Sequence, residues 1–158
     1  MRRAALPLLL LSSFALAHDL ITAEAAERYL SDARHHRAVL ASNAPPVQRA
    51  EACYRLGVML DDIREFLNRD LAAHGEVQGL PSNYLVSQLE RAGIPLAYST
   101  AQKRYLSNSD HFSEALRLSP SGPLQYEAGY RLLQGRFYDS FESDPLTSDE
   151  SWEKLQAQ

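Results

Sequence analysis

The chain has 158 residues, 45% hydrophobic and 23% charged, with 16 Lys plus Arg against 20 Asp plus Glu and a formal net charge of −4. This is ordinary globular usage; it excludes a disordered polyampholyte and a multi-pass membrane protein, and the acidic balance argues against wrapping nucleic acid. A single cysteine excludes an intramolecular disulfide framework and a zinc site built from four cysteines.

Residues 1–17 read as a secretory signal peptide. Arg2 and Arg3 form the basic start, Ala4 to Leu11 the apolar run, and Ala15-Leu16-Ala17 the small-residue cleavage site. The mature protein would begin at His18, exported to the periplasm or beyond in a bacterium, with no membrane span left after processing. Residues 18–141 form a single all-α domain, and residues 142–158 an acidic tail with a short helix.

The first helix starts after Thr22, an N-cap with Glu24 in the first turn, and buries Ala26, Tyr29, Leu30, Ala33 and Leu40. Pro45 and Pro46 end it and open a second, long helix from about Val47 to Ala73, stopped by Gly75. Its stripe is Leu56, Met59, Leu60, Ile63, Leu67 and Leu71, with Asp61, Asp62, Arg64, Glu65 and Arg69 mainly outside it. A third helix is capped by Ser82 or Asn83, carries Leu85, Val86, Leu89 and Ala92, and ends at Gly93. Pro95 opens a fourth, bearing Tyr98, Ala101 and Tyr105, which breaks at Asn108 to Asp110 and continues as a short helix through Phe112, Ala115 and Leu116. The fifth starts near Pro123 with a stripe of Tyr126, Tyr130, Leu133, Phe137 and Phe141, and Thr147 with Glu150 matches a capping box for a terminal helix holding Trp152 and Leu155. The expectation is all-α: antiparallel helical hairpins, in an array or a bundle of five to six helices.

Glu51-Ala52-Cys53-Tyr54-Arg55-Leu56 recurs as Glu127-Ala128-Gly129-Tyr130-Arg131-Leu132. The spacing fits helix-pair repeats, with the small Ala and large Tyr and Leu in one packing role. Leu56, Gly57 and Leu60, then Phe112, Ala115 and Pro120, then Tyr130, Leu133 and Phe137 resemble the signature positions of tetratricopeptide-like repeats. The match lies in disconnected pieces, with Asn108 and Arg69 where the pattern takes a small residue. The resemblance implies α–α hairpins that bind a protein or peptide in a concave face.

The function expected is therefore non-catalytic: an exported scaffold or adaptor binding a protein or peptide partner, with no cofactor. No Gly-x-Ser-x-Gly, P-loop or dinucleotide fingerprint is present, so acyl transfer, phosphoryl transfer and dinucleotide redox lack machinery. Tyrosine offers large contact area with a polar tip. Tyr54 and Tyr130 read as core, while Tyr98, Tyr105 and Tyr138, with Arg55 and Arg104 to pair carboxylates, read as partner-binding. The alternative is a copper- or zinc-binding or redox accessory protein of the envelope. No metal site is expected, yet a hairpin turn near residue 43 would set His18 beside Asp70 and His74, and His35 and His36 near Cys53. Cys53 itself reads as a buried, inert thiol.

Overall fold

The computed structural model describes residues 21–141. The segment read as a signal peptide, His18, the acidic tail and the expected terminal helix lie outside the described residues. The fold is all-α, with α1 at Ala23–Ala41, α2 at Pro46–His74, α3 at Leu80–Arg91, α4 at Ser109–Leu118 and α5 at Pro123–Phe141. None of these helices is long and apolar enough to cross a membrane.

The helix ends follow local chemistry. Thr22 caps α1, its Oγ1 accepting from the Ala25 amide at 3.1 Å. At the other end the Ser42 hydroxyl donates to the Val39 carbonyl at 2.7 Å before Pro45 and Pro46 turn the chain into α2. Pro46 tolerates its position because a first-turn residue needs no intrahelical donor. α2 closes at Gly75, whose φ of 77° is left-handed and whose amide reaches the Leu71 carbonyl at 2.8 Å. Helix α3 begins earlier than its polar residues suggest: Gly79 is the N-cap and Pro81 lies in the first turn. Ser82 is buried inside the helix, and Asn83 instead turns its amide to the Val77 and Gly79 carbonyls.

With 29 residues, α2 is about 43 Å long and serves as the spine. One face carries Leu56, Met59, Leu60, Ile63 and Leu67 into the main core, joined by Ala26, Leu30 and Ala33 of α1, Leu85 and Leu89 of α3, and Ile94. Burying each Leu or Ile there contributes about 1.5–3 kcal/mol. A second face, rotated about 100° from the first, carries Cys53, Tyr54, Gly57 and Asp61 towards α4 and α5. Gly57 lets α4 come close, since a Cβ there would meet the Phe112 ring at 2.9 Å. Cys53, Ala115 and Ala128 form the smaller core between α2, α4 and α5.

Three sequence expectations are corrected. Residues 95–105 do not form a helix: Tyr98–Ser99 and Arg104–Tyr105 pair as the antiparallel strands β1 and β2, Tyr98 opposite Tyr105. The reversal uses Lys103 at φ 53°, and Leu106 donates to the Ala97 carbonyl at 2.8 Å. The hairpin is held from outside, because Asn68 on α2 both donates to the Tyr105 carbonyl at 2.9 Å and accepts from its amide at 2.8 Å.

The second correction concerns α5. Its stripe faces outward, with Tyr126 79% exposed and Tyr130 and Leu133 both 66% exposed. The buried line instead runs through Ala128 and Gly135, small residues that admit α4 and Ser107. Tyr130 is thus no core residue, and the two copies of the repeated hexapeptide differ: Tyr54 stacks edge-on against Phe112, and Tyr130 meets solvent. Third, Asp61, outside the apolar stripe and expected with its charged neighbours on a solvated face of α2, is instead buried on the second face, beside half-buried Arg64.

Candidate functional site

A cleft of about 640 Å³ opens between the second half of α2, the β1–β2 turn and α5. Five cationic side chains line it, Arg64, Arg69, Lys103, Arg104 and Arg131, against three carboxylates, Asp61, Asp62 and Glu65. Asn68, Gln102, Gln134 and Tyr138 supply neutral polar atoms. Asp139 pairs with Arg104 just behind the lining, so five cations meet four carboxylates, and the local charge is slightly positive in a chain of net charge −4.

Its geometry follows from the segment between β2 and α4. Ser107 donates its amide to both carboxylate oxygens of Asp139 at 3.1 Å, tying the segment to α5. Arg104 pairs with the same carboxylate at 3.4 Å. Toward α2, the Ser107 hydroxyl reaches Asp61 Oδ1 at 3.5 Å, and Arg64 Nε lies 3.6 Å from that oxygen. Gly135 is required here, because any Cβ would overlap the Ser107 hydroxyl.

Burial pushes the Asp61 carboxyl above its ordinary value, with Arg64 pulling the other way. Asp62 shifts up for the same first reason, opposed by Arg131. Burial lowers Arg104, and Asp139 counters it. Arg69 is propped over the Phe66 ring, 4.7 Å from its centroid, which fixes its guanidinium at the cleft's edge. The Gln102 Oε1 atom is buried without a hydrogen-bond partner.

Of the residues expected to bind a partner, the structure brings Arg104 and Tyr138 into this cleft. Tyr98 and Tyr105 do not line it; they stack on each other across the hairpin, centroids 5.0 Å apart. Tyr105 packs against the main core, and burial raises its phenol. Arg55 lies elsewhere, in an exposed ion pair with Glu51 at 2.7 Å. Lys103, Arg69 and Arg131 were missed. Lys103 carried a readable signal as one of two lysines, in a segment rich in turn-compatible residues.

Of the metal candidates, His18 lies outside the described residues, and the others form no cluster of three. Among the described residues no three His, Cys, Asp or Glu side chains form a metal-holding group. Asp70 accepts from the Gln78 amide at 3.2 Å and closes the α2–α3 turn, while His74 is exposed. His36 feels Glu51 and Arg55 across the α1–α2 hairpin, and burial followed by the charge of His35 lowers it. Cys53 packs with Ala115 and Ala128, and burial raises its thiol, which keeps it protonated. No family model, curated protein or solved structure matches this chain.

Proposed function

We propose that this chain is an exported, non-catalytic binding module whose α2–hairpin–α5 cleft takes an acidic peptide segment of a partner protein. The observation that carries the reading is the convergence of Arg69, Lys103 and Arg131 on one cleft of an otherwise acidic chain, beside Arg64 and Arg104, which pair with Asp61 and Asp139. Arginine is suited to the task because its planar fork accepts a carboxylate in two parallel hydrogen bonds. Tyr138 adds an aromatic surface and Asn68, Gln102 and Gln134 add adaptable polar contacts, the mixture that peptide recognition uses. The tetratricopeptide-like resemblance supports the same class through the close crossing of Gly57 on Phe112 and the burial of Ala115.

The test uses two fluorescein-labelled peptides of equal length, one rich in Glu and Asp, the other with Lys in their place. Anisotropy titrations of the processed protein should show salt-sensitive binding of the acidic peptide alone. Charge reversal at the rim, Lys103→Glu or Arg69→Glu, should weaken it by about tenfold or more, since like charges face each other across the site. Equal binding of both peptides, or of neither, overturns the proposal.

A further inference from the structure

The outward face of α5 is an apolar surface that packing among the described residues leaves uncovered. Tyr126, Tyr130 and Leu133 stand on consecutive turns, 79%, 66% and 66% exposed, with half-buried Phe137 in line. Gly129 sits beside them, between Tyr126 and Leu133. A Cβ on Gly129 would meet nothing within 4 Å, so the fold gains nothing from the glycine. A helical glycine costs about 0.5–1 kcal/mol relative to alanine, and a close approach by another body is what its missing side chain permits.

We infer that this face pairs with the same face of a second copy, α5 against α5, antiparallel about a two-fold axis between Arg131 and Leu132. The register comes from the stripe itself. Tyr126 and Phe137 are equidistant from that point, and so are Tyr130 and Leu133. An antiparallel pair therefore sets Tyr126 against Phe137 of the partner subunit and Tyr130 against Leu133 of the partner subunit, twice over.

Charge is compatible with the same register. Glu127 and its own copy end nine helical positions apart, as do Arg136 and its copy, about 13 Å along the axis and beyond a Debye length of ~8–10 Å. Arg131 lies near the axis but turns toward Asp61 and Asp62 of its own chain, which offset it. Tyr126, Tyr130 and Leu133 alone offer on the order of 400 Å² per protomer, given the 150–250 Å² an aromatic side chain can bury. That is about half of the ~800 Å² a standard interface takes from each partner, and the flanking Gln125, Gly129 and Arg136 extend it. The pairing is therefore a concentration-dependent one. The cleft lies on the α2-facing flank of α5, so this inference stands or falls separately from peptide binding.

Sedimentation velocity of the processed protein over an about hundred-fold concentration range tests it, because mass action shifts a weak dimer across such a range. The expected result is a monomer–dimer equilibrium that Tyr130→Glu and Leu133→Glu each shift to monomer, while helicity holds and so does the thermal midpoint measured at concentrations where wild type is monomeric, both positions being exposed. Register is read by disulfide trapping on a Cys53→Ala background. Tyr126→Cys protein mixed with Phe137→Cys protein should cross-link, and Tyr126→Cys protein alone should not, its copies lying about 16 Å apart along the axis. A wild-type protein that stays monomeric throughout, a dimer that survives both Glu variants, or cross-linking of Tyr126→Cys to itself each overturns the inference.

Discussion

A Cβ built on Gly57 meets Phe112 Cε1 at 2.9 Å, while one built on Gly129 meets nothing within 4 Å. Both glycines are helical, and alanine at either gains about 1 kcal/mol of helix propensity. At Gly57 overpacking opposes that gain at a cost of about 1–3 kcal/mol, because Phe112 is fully buried and has nowhere to move. Gly57→Ala is therefore expected to lower stability, and Gly129→Ala to raise it by roughly 0.5–1 kcal/mol, when urea unfolding is measured in a Tyr130→Glu background that removes self-association. Asp61 carries a pH prediction. Its folded carboxyl titrates above its ordinary value near 3.8 because burial penalises the charge. The folded state then binds the proton more tightly than the unfolded one, so the contribution is full below about pH 3.8 and is lost as pH rises through the raised value. The stability difference between wild type and Asp61→Asn, followed from pH 3 to about pH 7, should fall steadily with pH. Parallel curves would mean that Arg64 cancels the burial.

At the scale of elements, the hairpin depends on one side chain from another element. Asn68→Ala removes both hydrogen bonds to the Tyr105 backbone. Leaving part-buried peptide groups unsatisfied costs about 1–3 kcal/mol, and the Tyr105 amide should lose exchange protection before α2 does. Asn68→Asp keeps the acceptor and should recover part of the loss. The same dependence explains what was legible in the sequence. Helix ends at Thr22, Pro46, Gly75, Gly93 and Pro123 were readable because a cap or a fixed φ acts on its immediate neighbours. The hairpin was not, since Tyr98, Ala101 and Tyr105 fit a helical period and two-residue strands are too short to show alternation. What decides between the two readings, Asn68, lies 37 positions from Tyr105. The orientation of α5 failed for a different reason. Hydrophobic periodicity finds the face with the most apolar area, whereas Ala128 and Gly135 are buried for being small. In the cleft, Arg104 and Tyr138 were readable as a cation and an aromatic beside polar neighbours, but Arg69, Lys103 and Arg131 converge only through tertiary packing.

Over the whole molecule, α2 couples two cores of unequal size. Twelve buried residues of α1, α2, α3 and their flanks close the main one, and Cys53, Ala115 and Ala128, beside Phe112, close the other. Cooperative units open in order of the apolar contacts they must break, so α5, joined through Ala128, should exchange its amides at lower opening free energy than Leu56 to Leu67 of α2. Native-state hydrogen exchange at low protein concentration measures this directly. Equal protection of α5 and α2 would show that the small core and the Asp139 tether to Ser107 and Arg104 transmit the full stability of the large one. Repeating the measurement at high concentration separates the two influences on α5. If a second copy covers Tyr126, Tyr130 and Leu133, protection of α5 rises with concentration and that of α2 follows only as far as global unfolding sets its exchange. In Tyr130→Glu the concentration dependence should vanish while the ranking of α5 below α2 remains, because the ranking belongs to the protomer's own packing.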